Sequence, residues 1–163
     1  IRKINYVRAA VIKAFLIRKY RHRLGNPFKE VLQMSLNEES TSPAYVLGRL
    51  FAVLEKAQKE AVPDAKATIK DRYFTSACAS PSTVFPVLLR LSQHHISKAE
   101  YGYASDNRIE AIMSLLDVEQ NPIPKRLTLD EQGVFVLGNY HQRAAFYVKK
   151  DNQADETDQS EDQ

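Results

Sequence analysis

The stretch "SPAYVLGRLFAVLEKAQKEAVP", residues 42–63, constrains this chain more than any other. Ser42 offers a cap, and Pro43 suits the first helical position, where a missing N–H is no loss and φ is already near its helical value. Val46, Leu47, Leu50, Phe51 and Leu54 then recur at helical spacing. Pro63 ends the pattern, because its ring clashes with the preceding turn and it cannot donate a backbone hydrogen bond. A helix bounded in this way carries a broad apolar face that other elements must cover.

The same punctuation recurs along the chain. Ser80-Pro81 opens "STVFPVLLRLSQHHISKAEY", which places Val84, Leu88, Leu91 and His95 on one face, with Pro86 positioned to bend the early turns. Between these two helices lies "ATIKDRYFTSACA". A shorter helix is expected in "NRIEAIMSLLDVE", capped by Asp106 or Asn107, and "NPIP" at 121–124 breaks the chain. Thr128 and Glu131 have capping-box spacing and start a last helix from Leu129 to about Lys150. Its expected inner stripe is Gly133, Leu137, Tyr140, Ala144, Tyr147 and Val148, with Gly133 and Ala144 small enough for close helix approach. No segment shows sustained period-two alternation. The reading is all-α: a bundle of five to seven helices over residues 1–150, followed by a disordered acidic tail over 151–163 that has almost nothing apolar to bury.

Charge is divided unevenly. The first 25 residues hold eight Lys or Arg and no acid, whereas "DNQADETDQSEDQ" holds six acids and no base. Without that tail the body has 23 basic against 14 acidic residues, a balance of +9. A basic body suits a polyanionic partner, and an acidic tail can tune non-specific binding. Arg8, Lys13 and Arg18 interrupt the apolar positions of the N-terminal stretch, so it reads as a mature helix rather than a signal peptide. The single cysteine, Cys78, excludes an internal disulfide and a cysteine zinc site, which fits a cytoplasmic setting. No run approaches the ~20 apolar residues of a membrane span.

Chemistry is hard to find. None of His22, His94, His95 and His141 has a second ligand one helical turn away, so no metal site is expected. His95 falls on an apolar face and reads as a core histidine. There is no Gly-x-Ser-x-Gly, no Gly-rich phosphate loop and no activating neighbour for Cys78, so neither an enzyme nor a cofactor is expected. What remains is arginine beside aromatics: Arg18-Lys19-Tyr20-Arg21, Arg72-Tyr73-Phe74, and Arg143 near Phe146 and Tyr147. Basic groups neutralise phosphates and flat rings stack on bases, the pairing that single strands require.

Two stretches are more specific: "IKDRYFTSACASPSTVFPVLLRLSQHHISK" (69–98) and "LTLDEQGVFVLGNYHQRAAFYVKK" (127–150), with "LGRLFAVLEKAQ" (47–58) in support. Together they resemble the C-terminal region of the large subunit of the type I-C CRISPR interference complex, Cascade. The resemblance spans roughly residues 1–150. In that family the region is also made separately, from an internal start, as the small subunit. The absence of an initiating Met suits that origin and suits a trimmed large-subunit fragment equally.

The resemblance implies a non-catalytic subunit that supports assembly and stabilises the R-loop through basic contacts to the displaced non-target strand. Because R-loop exchange is nearly balanced, a few phosphate contacts can tip it. The implied partners are the backbone and large subunits, further copies of the chain, the guide RNA complex and the displaced single strand of target DNA, with no membrane. The residues chosen for nucleic-acid contact are Arg18, Arg21, Arg72, Arg90, Lys98 and Arg143. In "GNYHQRAAFYVKK", Tyr140, Ala144 and Tyr147 are expected to face inward with Leu137. His141 is expected at the edge of that face, with Gln142 and Arg143 outside. Two other readings stay open: a pure protein scaffold, and an excised C-terminal domain without direct nucleic-acid contact. Steep loss of strand affinity with salt separates a phosphate-neutralising subunit from a scaffold.

Overall fold

A computed structural model describes residues 11–12, 14–15, 35–97, 102–116 and 123–147. Among them are five helices and no strand: α1 (Pro43–Ala61), α2 (Ile69–Ala79), α3 (Pro81–Ile96), α4 (Gly102–Met113) and α5 (Leu129–Ala145). The all-α expectation is met. The acidic stretch 151–163 lies outside the described residues, as does most of the basic N-terminal stretch, of which residues 11, 12, 14 and 15 are helical.

Helix α1 is the hub. It packs most extensively on α5 and also meets α2, α3 and α4. Val46, Leu47, Leu50, Phe51 and Leu54 are all buried, as their spacing predicts. So are Ala44, Tyr45, Ala52, Val53 and Ala57, so the helix is enclosed on nearly every side. One phenylalanine from each of four helices meets here. The Phe135 ring of α5 stands edge-on to Phe51 of α1 (6.2 Å), Phe74 of α2 (5.8 Å) and Phe85 of α3 (6.4 Å). Edge-on rings match positive edge to negative face and add to the stabilisation from burial.

The start signals hold. Pro43 and Pro81 open α1 and α3 after Ser42 and Ser80, although neither serine side chain makes a capping hydrogen bond. Thr128 and Glu131 form the capping box of α5, with the Thr128 N–H donating to Glu131 Oε2 at 2.7 Å. Thr68 and Asp71 make a second box at the head of α2.

Four expectations need correction. Helix α4 starts at Gly102, ahead of the expected cap at Asp106 or Asn107. Gly102 is buried against the Ile96 carbonyl, a fit with no room for a Cβ. On α3 the buried stripe is Val84, Phe85, Leu88 and Ser92, which leaves Leu91 38% exposed and His95 half-buried. Helix α5 ends at Ala145 rather than about Lys150. The Tyr147 N–H closes back on the Ala144 carbonyl (3.0 Å), a tightened last turn.

The fourth correction concerns the inner face of α5. It comprises Val134, Phe135, Leu137, Gly138, Asn139, His141 and Gln142, while Tyr147 is 71% exposed. The close approach is made by Gly138, not by Gly133 and Ala144. A Cβ on Gly138 would overlap the Tyr45 carbonyl of α1, and a Cβ on Gly48 would overlap the Phe135 carbonyl of α5.

Candidate nucleic-acid interface

The last two turns of α5 carry the Tyr-His-Gln-Arg run, and the structure divides it between two clusters. The first is buried. The His141 side chain points at α1, and its Nδ1 lies 2.8 Å from the Tyr45 hydroxyl. That hydroxyl also accepts the Asn37 N–H at 3.1 Å, so it joins the segment ahead of α1 to α5. Beside this pair, Gln142 Oε1 accepts from Arg49 Nε at 3.1 Å. Arg49 Nη1 also donates to the carbonyls of Asn37 (3.1 Å) and Glu38 (3.0 Å). Asn139 Nδ2 completes the layer by donating to the Gly48 carbonyl at 3.3 Å.

These groups explain why a polar stretch can face a core. Buried polar atoms are tolerated when they find partners, and here each partner is supplied by α1 or the segment ahead of it. Burial lowers the Arg49 pKa, with the Tyr45 and Glu38 charges acting in the opposite direction. His141 and Gln142 are therefore joints between α5, α1 and the 37–38 segment.

The second cluster lies where α1, α2 and α5 meet. Glu55 is buried, and its Oε1 accepts from Lys59 Nζ at 2.6 Å, one turn along α1. Its Oε2 has Arg143 Nη1 at 3.7 Å, an ion pair too long to be a hydrogen bond. Lys70 of α2 completes the group. Burial lowers its pKa first and the Arg143 charge lowers it further, while Glu55 pulls the other way. Its ammonium lies 5.7 Å from the Phe74 ring centroid. Asp71, the other carboxylate acting on Lys70, is bonded to the amide and hydroxyl of Thr68. On the flank, Lys56 pairs with Glu60 (2.8 Å) and stands 5.0 Å from the Phe146 ring centroid. Lys59 and Arg143 thus flank one buried carboxylate, and Lys70 stands near enough to feel the charges of both Glu55 and Arg143.

Of the described residues chosen from sequence, Arg143 belongs to this cluster and Arg72 and Arg90 do not. Arg143 is half-buried rather than fully outside. Arg72 and Arg90 are exposed on α2 and α3. Arg72 is two residues past Lys70 and so projects about 200° around the helix from it. The charges acting on Lys70 are those of Arg143, Glu55, Lys59 and Asp71, and neither Arg72 nor Arg90 is among them. Arg18, Arg21 and Lys98 lie outside the described residues. Sequence reasoning missed Lys59 and Lys70. The i,i+4 spacing of Glu55 and Lys59 was visible, but nothing local brings Lys70 or Arg143 to the same point.

Cys78 is buried, with its Sγ 3.6 Å from the Gln132 carbonyl oxygen, and burial pushes its thiol pKa up to about 12. Among the described residues no group of three or more His, Cys, Asp or Glu could hold a metal ion. No described helix is long and apolar enough to cross a membrane.

The family described as CRISPR-associated protein (Cas_Csd1) matches residues 1–147, and the chain belongs to it. The match covers both motif stretches apart from the last residues of the second, and ends before the acidic segment. No curated protein matches the chain.

Proposed function

We propose that the chain is a non-catalytic small subunit of a type I-C Cascade, working in the cytoplasm. It supports assembly beside the backbone and large subunits and further copies of itself. It stabilises the R-loop by holding the displaced non-target strand. Membership of the CRISPR-associated family supports this reading at the level of the system. The observation that carries the finer reading is the convergence of Lys59, Lys70 and Arg143, a fixed positive surface on a body whose charge balance is +9. In a guide-RNA complex sequence is read by base pairing, and protein needs only to hold shape and backbone. A subunit with that task requires rigidly placed cations and no reactive group.

The test is reconstitution. A guide-loaded complex assembled without the chain should displace the non-target strand poorly on a matched duplex. Adding back the purified chain should restore displacement, read by permanganate reactivity of the displaced thymines. If the chain joins the complex and restores nothing, the strand-holding reading fails and a scaffold role takes its place.

A further inference from the structure

We infer that the junction of α1, α2 and α5 is a phosphate-binding site for a single-stranded nucleic-acid backbone, formed by Lys59, Lys70 and Arg143 and positioned by Glu55. The inference rests on the strand-holding reading above and assigns it a place. On the flank of α1, Lys56 and Glu60 cancel one another within a single helix. Here Lys59 of α1 and Arg143 of α5 pair with one carboxylate, Glu55, and Lys70 of α2 lies within reach of the same charges. Glu55 is buried and cannot follow them outward, so it fixes the base of the site and leaves it net positive. Its contact with Arg143 is longer than a hydrogen bond and does not consume the guanidinium's donors. Lys70 is half-buried and repelled by Arg143. Crowded, partly desolvated cations are stabilised when an anion joins them. A phosphodiester supplies that anion, and Arg presents it with a planar fork.

Tyr147 supports a strand rather than a free phosphate. It lies four residues past Arg143 and is 71% exposed, an aromatic surface near the end of α5 on which a base can stack. Contacts of this type fix the backbone and read no base edge, so binding is sequence-independent.

The test uses the full 163-residue chain and a fluorescent mixed-sequence single-stranded DNA, with affinity measured by anisotropy from 50 to 200 mM salt. One variant carries Lys59→Gln, Lys70→Gln and Arg143→Gln. A control carries Arg72→Gln, Arg90→Gln and Arg108→Gln, the same change in charge on exposed positions of other surfaces. Each phosphate that is no longer neutralised lowers the slope of log affinity against log salt by about 0.7. The junction variant should therefore show a slope shallower by about 2, and the control should retain most of the wild-type slope. Tyr147→Ala should weaken binding while keeping the slope. If the junction triple loses its helical circular dichroism, the three single variants carry the test, at about 0.7 each. Equal slopes for the junction and control variants would overturn the assignment while leaving strand binding intact. A wild-type chain without salt-dependent binding would overturn both the assignment and the reading beneath it.

Discussion

Gly48 and Gly138 face each other across the crossing of α1 and α5, each where a Cβ would run into the backbone of the opposite helix. The obstacle is a main-chain carbonyl in both cases, Phe135 for Gly48 and Tyr45 for Gly138. Backbone in a helix cannot swing aside as a flexible side chain can. Helix propensity alone would favour alanine at either position by about 1 kcal/mol. Packing should reverse the sign. Gly48→Ala and Gly138→Ala should each destabilise the bundle, at or above the upper end of the ~1–3 kcal/mol typical of overpacked cores. Urea denaturation checks this, and a rise in midpoint for either variant would contradict the close crossing.

The Tyr45–His141 bond predicts a purely structural phenotype. Tyr45→Phe deletes the hydroxyl that serves both His141 Nδ1 and the Asn37 N–H. Leaving buried polar groups without that partner costs about 1–3 kcal/mol. Gln142→Ala should cost a similar ~1–3 kcal/mol by stranding Arg49 Nε. Both variants should unfold earlier yet bind single-stranded DNA with unchanged salt slope under folded conditions. A changed slope at unchanged stability would make the run a contact surface after all.

Cys78 offers a reporter of opening. Its thiol is buried and shifted upward to about 12, so very little thiolate exists at pH 8 in the native state. Labelling with a thiol-specific reagent should be slow and should accelerate with sub-denaturing urea. The pH dependence has a definite sign. The folded pKa is raised above the ordinary 9.0, so this group's contribution is fully present below pH 9 and lost as pH rises towards 12. Cys78→Ala should therefore lose less stability than wild type across that window. Equal losses would show that the thiol is not shielded.

The acidic tail should oppose strand binding. Truncation after Lys150 removes six acids and shifts the net charge from +3 to +9. Affinity for single-stranded DNA should rise, most at low salt, where electrostatic attraction is least screened. Measured beside the full chain in the same salt series, an unchanged or lower affinity would remove any electrostatic role for the tail.

Much of the fold was legible because its signals are local. The serine–proline starts and the Thr128–Glu131 box act within four residues, and the stripe of α1 is so apolar that any phase buries it. The inner face of α5 was not legible. Hydropathy turns Tyr147 inward and Gln142 outward, and the structure does the reverse because Tyr45 and Arg49 wait more than ninety positions earlier. The cationic junction was hidden for the same reason. Arginines beside aromatics drew attention to Arg72 and Arg90, whereas Lys59 and Lys70 gain meaning only when three helices meet. Among the described residues, Arg143 belongs to both pictures and Arg72 and Arg90 to the first alone.

The Arg49 side chain also settles how the bundle bears load. It grips the carbonyls of Asn37 and Glu38 with one nitrogen and Gln142 of α5 with another. Tension on the chain ahead of residue 35 is therefore passed into the α1–α5 crossing before it reaches the free end of α1 at Pro43. A pull on that end would work against a moored strap that engages the two longest described helices together.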